Sequence, residues 1–188
     1  LYLEKNTITS LPASFTSLTN LKMLFISSNG LTQLPDSIGN LTKLNFLDLG
    51  YNELTAIPES IGSLMDIEYL FLFNNRFTSL PDSICNLPLN WNGMDANNIP
   101  YFAIGGNKLC EEGLVPECVA ASSNLNISLE QDYYAFLIDY PQDCIIGCQI
   151  NNDADDDGVC DDDEVFGCYD IIACNYNEFA TNEAECVY

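Results

Sequence analysis

Apolar residues recur along the first part of the chain with a period of 23. Residues 18–40 read LTNLKMLFISSNGLTQLPDSIGN, residues 41–63 read LTKLNFLDLGYNELTAIPESIGS and residues 64–86 read LMDIEYLFLFNNRFTSLPDSICN, three full copies in register. Residues 1–17 match the last two thirds of a further copy through Leu3, Asn6, Ile8, Leu11, Pro12 and Phe15. An irregular copy carries Phe102, Ile104, Asn107 and Leu109 after an insertion around residues 89–100. Repetition of this kind marks stacked units, because one unit alone cannot bury its apolar face. Within the copies, Leu24 and Ile26, Leu47 and Leu49, and Leu70 and Leu72 are spaced by two, which predicts short half-buried strands stacking in parallel. Asn6, Asn29, Asn52, Asn75 and Asn107 follow the strands, where an amide side chain can bond backbone groups of neighbouring coils. Pro12, Pro35, Pro58 and Pro81 end the hydrogen-bonded path and begin an irregular convex side.

This pattern resembles the leucine-rich repeat family, in the variant whose repeats carry L-P-x-S-I-G-N, over roughly the first 110 residues. The resemblance implies an α/β fold, a right-handed solenoid with a parallel concave sheet. In such a solenoid the side chains between the buried leucines project from the concave side and carry function. Here those positions are Met23, Phe25 and Ser27, then Phe46, Asp48 and Gly50, then Tyr69, Phe71 and Phe73, with Tyr2 and Tyr101 extending the set. Contiguous exposed aromatics are uncommon on a surface with no partner, and Tyr and Phe supply large contact area at small entropy cost. Met23, Phe25, Phe46, Asp48, Tyr69, Phe71, Phe73 and Tyr101 are therefore the expected ligand-binding residues, for a protein, peptide or glycan. The competing expectation is that the rings only pack sideways along the sheet, or are covered by another part of the full-length protein.

A repeat array needs a closed end. Residues 105–118, GGNKLCEEGLVPEC, resemble the cysteine-containing C-terminal caps of extracellular leucine-rich-repeat proteins. Cys85, Cys110 and Cys118 are the candidates for its bridge, Cys110 with Cys118 being the preferred pair, and the third cysteine stays free or pairs outside the cap. The expected organisation is repeats and cap over 1–118, a connecting segment over 119–143 and a cysteine-rich module over 144–188. Within the connection, residues 120–128 are small and polar enough for a linker, whereas 133–140 is an aromatic and aliphatic run suited to a strand or short helix.

Charge changes the picture at this point. The chain has 28 acidic side chains against five Lys and Arg, a net charge of -23, and no His. Nucleic acid is excluded as a partner, since neutralising phosphates requires clustered Lys and Arg. No apolar run approaches the roughly 18 residues of a membrane-spanning helix, so no membrane insertion is expected. Leu1 falls inside a repeat, which suggests a cut through a longer multidomain protein. Nine cysteines, placed between Cys85 and Cys186 without a convincing zinc spacing, favour disulfides in an oxidising setting, secreted or at the cell surface.

Residues 153–164, DADDDGVCDDDE, fit D-x-D-x-D-G-x5-E without a gap. Alternate Asp side chains in a tight loop converge on one point, and calcium prefers six to eight oxygen ligands. On this template Asp153, Asp155 and Asp157 give carboxylates, Val159 its carbonyl, Asp161 a direct or water-mediated contact and Glu164 a bidentate carboxylate, while Gly158 makes the turn. Pro141, Gly147 and Gly167 interrupt the flanking helices of an EF-hand, and the loop looks more like the calcium repeats of thrombospondin type 3. That resemblance implies a structural Ca2+. Residues 167–188 carry Cys168, Asp170, Ala173, Cys174, Asn175, Tyr176, Asn177, Ala180 and Cys186, and resemble a small module of large secreted proteins of marine Bacteroidetes.

The chain has no His base, nucleophile motif or phosphate-binding glycine loop, so no enzyme is expected. Two functions stay open, an extracellular binding or adhesion module and a structural spacer or stalk of a large surface protein.

Overall fold

The computed structural model describes residues 1–110, 114–130 and 137–142, together with the backbone of two short strands at 166–167 and 182–183. The chain divides into two units, Leu1–Asp143 and Cys144–Tyr188.

In the first unit the alternating positions form strands β1 (Met23–Phe25), β2 (Phe46–Asp48), β3 (Tyr69–Phe71) and β4 (Phe102–Ala103), hydrogen-bonded in that order as one parallel sheet. Each repeat adds one strand in strict register, with Leu24 beside Leu47 and Leu47 beside Leu70. Tyr2 extends the sheet by a parallel bridge to Phe25. Each chain then returns over the convex side through a single-turn 3-10 helix, at Ala13–Ser17, Ile38–Asn40, Glu59–Ser63 and Asp82–Asn86. The leucines and isoleucines of the repeat, including Leu24, Ile26, Leu47, Leu49, Leu70 and Leu72, fill the space between at 0% exposure.

A short coil leaves its turning backbone with few partners of its own, and the asparagine ladder supplies them. Asn52 Oδ1 accepts from the Leu31 amide of the preceding coil at 3.0 Å. Its Nδ2 donates to the carbonyls of Ile26, Leu49 and Gly50. Asn29, Asn75 and Asn107 repeat the arrangement, accepting from Ile8, Leu54 and Phe77. The residue before each of these asparagines lies in the left-handed region: Lys5 before Asn6, then Ser28, Tyr51, Asn74 and, in the last coil, Gly106. That single left-handed step turns the chain sharply out of the strand and aims the following amide inward.

The convex side has its own period. A Cβ on Gly39 would collide with the Ser60 carbonyl, and one on Gly62 would collide with that of Ser83, so glycine is what lets neighbouring coils approach there. The third copy has Cys85 at this position, and no regular coil follows it. Instead the helix α1 (Glu117–Ala120) packs against this turn and Cys85 is bonded to Cys118. This corrects the expected Cys110–Cys118 pair: Cys110 is disulfide-bonded as well, but not to Cys118.

The end of the solenoid is closed by a hairpin, β5 (Ile127–Leu129) antiparallel to β6 (Leu137–Asp139). The Gly105 amide donates to Ile127 O and the Gly106 amide to Tyr140 O, both at 2.8 Å. Gln142 continues the asparagine ladder, donating to Ile104 O and Leu125 O and accepting from the Leu109 amide. Residues 120–128 are therefore not a linker. Ser122, Asn124 and Ser128 are buried, and Ser122 and Asn124 donate to the Trp91 carbonyl of the insertion, so small polar residues serve here as packed capping groups. Of the strand or short helix expected within 133–140, residues Leu137–Asp139 form the strand β6, and 133–136 lie outside the described residues. In the second unit, β7 (Phe166–Gly167) pairs in parallel with β8 (Asn182–Glu183).

Candidate ligand-binding face

The parallel register places the outward side chains in columns across the sheet. Met23, Phe46 and Tyr69 are direct neighbours in one column, and Phe25, Asp48, Phe71 and Ala103 in the next. Aromatic residues at adjacent positions are drawn into contact because strands lie about 4.8 Å apart, close to the thickness that two stacked rings occupy.

Five rings form a continuous line. Tyr2 stacks on Phe25 at 4.9 Å between centroids, Phe25 meets Phe46 at 4.6 Å, Phe46 stacks on Tyr69 at 4.8 Å and Tyr69 meets Tyr101 at 5.1 Å. The line runs down one column from Tyr101 to Phe46 and steps diagonally to Phe25 and Tyr2, passing the column position occupied by Asp48. Tyr2 is 69% exposed and Met23 37%, and Phe25, Phe46, Tyr69 and Tyr101 are half-buried.

Three of the expected residues are placed differently. Phe71 and Phe73 are 3% and 0% exposed, and Asp48 is 1% exposed. Phe71 and Phe73 share a small second core with Ala103 and Leu129, against which Tyr51, Ile99 and Ile127 also pack. The β5 strand thus covers the end of the concave side where Phe73 stands. The Phe73 ring lies over Gly50, where a Cβ would fall inside it, so Gly50 is small because its neighbour's ring needs the space. Tyr51 stands at 77° to the Phe73 ring and donates its hydroxyl to Leu129 O at 2.9 Å. Burial pushes the Tyr51 phenol up from its ordinary value. Asp48 accepts from the Gly50 amide at 3.0 Å and serves the turn.

The insertion adds a residue that the repeat pattern does not mark. Asp95 Oδ1 accepts from the amides of Asn97 at 2.8 Å and Ile99 at 2.9 Å, and Oδ2 accepts from the Tyr69 hydroxyl at 3.1 Å. These bonds, the Ile99 amide foremost, hold the Asp95 carboxyl below the usual carboxylate range. Burial, and then the bond to Asp95, push the Tyr69 phenol up to about 12. An Asp two and four residues before amides it can cap is a recognisable turn signal, but nothing in the sequence ties it to a strand 26 residues earlier.

The expected calcium ligands Asp153, Asp155, Asp157, Val159, Asp161 and Glu164 lie outside the described residues. Among the described residues, no group of three or more His, Cys, Asp and Glu side chains converges on a possible metal position. No helix among them is long and apolar enough to cross a membrane.

The class that this architecture defines is a capped repeat solenoid with an aromatic concave face. The leucine rich repeat family matches residues 1–54 and, in an overlapping register, 26–77. With the parallel sheet and the asparagine ladder, this makes the repeats leucine-rich repeats. No curated protein matches the sequence. Among solved structures, a leucine-rich-repeat protein of Leptospira interrogans is similar at 28% identity and TM-score 0.52, over 63% of this chain and 27% of its own. The Drosophila Toll–Spatzle complex is similar at 26% identity and TM-score 0.45, over 56% of this chain and 13% of that one. The chain thus spans about a quarter of the length of the Leptospira protein.

Proposed function

We propose that this chain is an extracellular recognition module whose job is binding and not catalysis, and that the ring line Tyr2, Phe25, Phe46, Tyr69 and Tyr101 is its contact face. The observation that carries the reading is the continuity of that line: five partly exposed aromatic rings touch in sequence across the concave sheet. Burial of such rings is the commonest source of strong local binding energy at interfaces. Lateral stacking accounts for the contacts between rings but not for why large apolar side chains occupy a side left open to solvent over Tyr2, Met23, Phe25 and Phe46. The aspartate-rich loop at 153–164 is, in the same reading, a structural calcium site in the tail. A spacer or stalk with no ligand of its own is the second reading, favoured by the sideways stacking itself.

Selection of a random peptide library and a glycan panel on the full chain separates the two. A recognition module yields binders whose affinity falls by about tenfold or more in Phe25→Ser and Phe46→Ser, with retained circular dichroism and melting within a few degrees. Failure to obtain any binder sensitive to Phe25 and Phe46 would leave the spacer reading in possession.

A further inference from the structure

Two of the four contacts along the line are stacked face to face, which bears on the chemistry of what lies on them. Tyr2 and Phe25 are within 3° of parallel and Phe46 and Tyr69 within 15°. In each of these pairs one face of each ring is covered by its neighbour, so at these two steps the line presents ring edges outward. Sugars bind aromatics by laying C–H groups on an open ring face; the stacked steps at Tyr2–Phe25 and Phe46–Tyr69 offer none between their rings. They suit the aliphatic and aromatic side chains of an extended protein segment, which fill the shallow spaces between edges.

The stack opens where it meets Asp95. Tyr101 is tilted 41° from Tyr69, the widest angle along the line. Beside this step stands the Asp95 carboxylate, oriented by the Asn97 and Ile99 amides and the Tyr69 hydroxyl. All these donors are neutral, so they aim the carboxylate without cancelling its charge. An oriented carboxylate at the hydroxyl of a tyrosine tilted from its neighbour favours an ammonium or guanidinium group, through charge-assisted hydrogen bonds at Asp95 and cation–π attraction where the tilt opens a ring face. Within Leu1–Asp143, 16 acidic side chains against five Lys and Arg act in the same direction over longer range.

Resting on the concave-face reading above, we infer that the partner is a protein segment that seats a lysine or arginine side chain at the Tyr69, Tyr101 and Asp95 corner and lays apolar residues along Phe46 and Phe25. Asp95→Asn is the informative variant, because the amide oxygen can still accept from Asn97 and Ile99 while the charge is removed. Peptides selected from the random library on the full chain are expected to carry Lys or Arg next to aliphatic or aromatic residues. They should bind Asp95→Asn at least tenfold more weakly, and replacing their basic residue by norleucine should weaken binding to the parent chain but not further to Asp95→Asn. Selected peptides that need Phe25 and Phe46 yet lack a basic residue, or that bind Asp95→Asn as well as the parent, overturn this inference and leave the concave-face reading standing. Uncharged glycans whose binding depends on Phe46 overturn it in favour of a sugar ligand. Peptides whose binding ignores Phe25 and Phe46 overturn the concave-face reading, and this inference with it.

Discussion

At the scale of single residues, the chain uses the same positions for unlike purposes in successive coils. Tyr69 sits one repeat after Phe46 and stacks on it, but it also reaches a carboxylate through its hydroxyl. Its phenol, pushed up to about 12, stays neutral long after an ordinary tyrosine has ionised. The folded value lies above the unfolded one near 10. Its contribution to stability is therefore fully present below about pH 10 and lost as pH rises through about 12. Spectrophotometric titration should show a late-ionising phenol, besides that of Tyr51, that disappears in Tyr69→Phe, and a normal titration of Tyr69 would contradict its burial and its bond to Asp95. Gly50 makes a second residue-scale case. Gly50→Ala should destabilise the chain by about 1–3 kcal/mol because the Phe73 ring above it is enclosed and has nowhere to go. In a Phe73→Leu background the same change should cost clearly less in a urea denaturation experiment, and equal costs would deny the contact.

At the scale of elements, what was legible in the sequence is what the repeat states more than once. Leu24, Leu47 and Leu70 announce the strands, and Asn29, Asn52 and Asn75 announce the ladder, because each coil must solve the same burial and hydrogen-bonding problem. The elements that occur once were harder to read. The covering of Phe71 and Phe73 depends on β5, a strand of three residues more than 50 positions away, and no period points to it. Ser122, Asn124 and Ser128 resemble linker residues in composition; only their packed surroundings make them part of the cap. The bridge of the cap, by contrast, has a signal in the repeat itself. Cys85 occupies the place of Gly39 and Gly62, the convex position where one coil touches the next, so it faces whatever element closes the stack. Two of the three outward residues of the third copy, Phe71 and Phe73, are covered on the concave side, while the line from Tyr2 to Tyr101 kept the partly exposed place that strand alternation assigns to it.

At the scale of the whole molecule, a repeat unit and an acidic cysteine-rich unit divide the chain at residue 143. The proposed calcium site belongs entirely to the second. Calorimetric titration of the full chain with calcium should give saturable binding with a dissociation constant of roughly 10⁻⁴ to 10⁻³ M, typical of extracellular modules. Asp155→Asn combined with Asp157→Asn should abolish it, and an absence of saturable heat in the parent would reduce residues 153–164 to a solvated acidic run. The first unit, by contrast, depends on nearest-neighbour contacts between coils, so its stability is close to a sum over coils and interfaces. The chain has a single tryptophan, Trp91. Its ring stands edge-on to Phe102 at 4.9 Å, and its carbonyl receives Ser122 and Asn124 from the cap. Intrinsic fluorescence is accordingly a local gauge placed at one end of a one-dimensional lattice. It records when the cap lets go and is blind to fraying of the coils around Leu24, which only a signal averaged over the backbone will register. The gap between the two curves measures how many coils open as one.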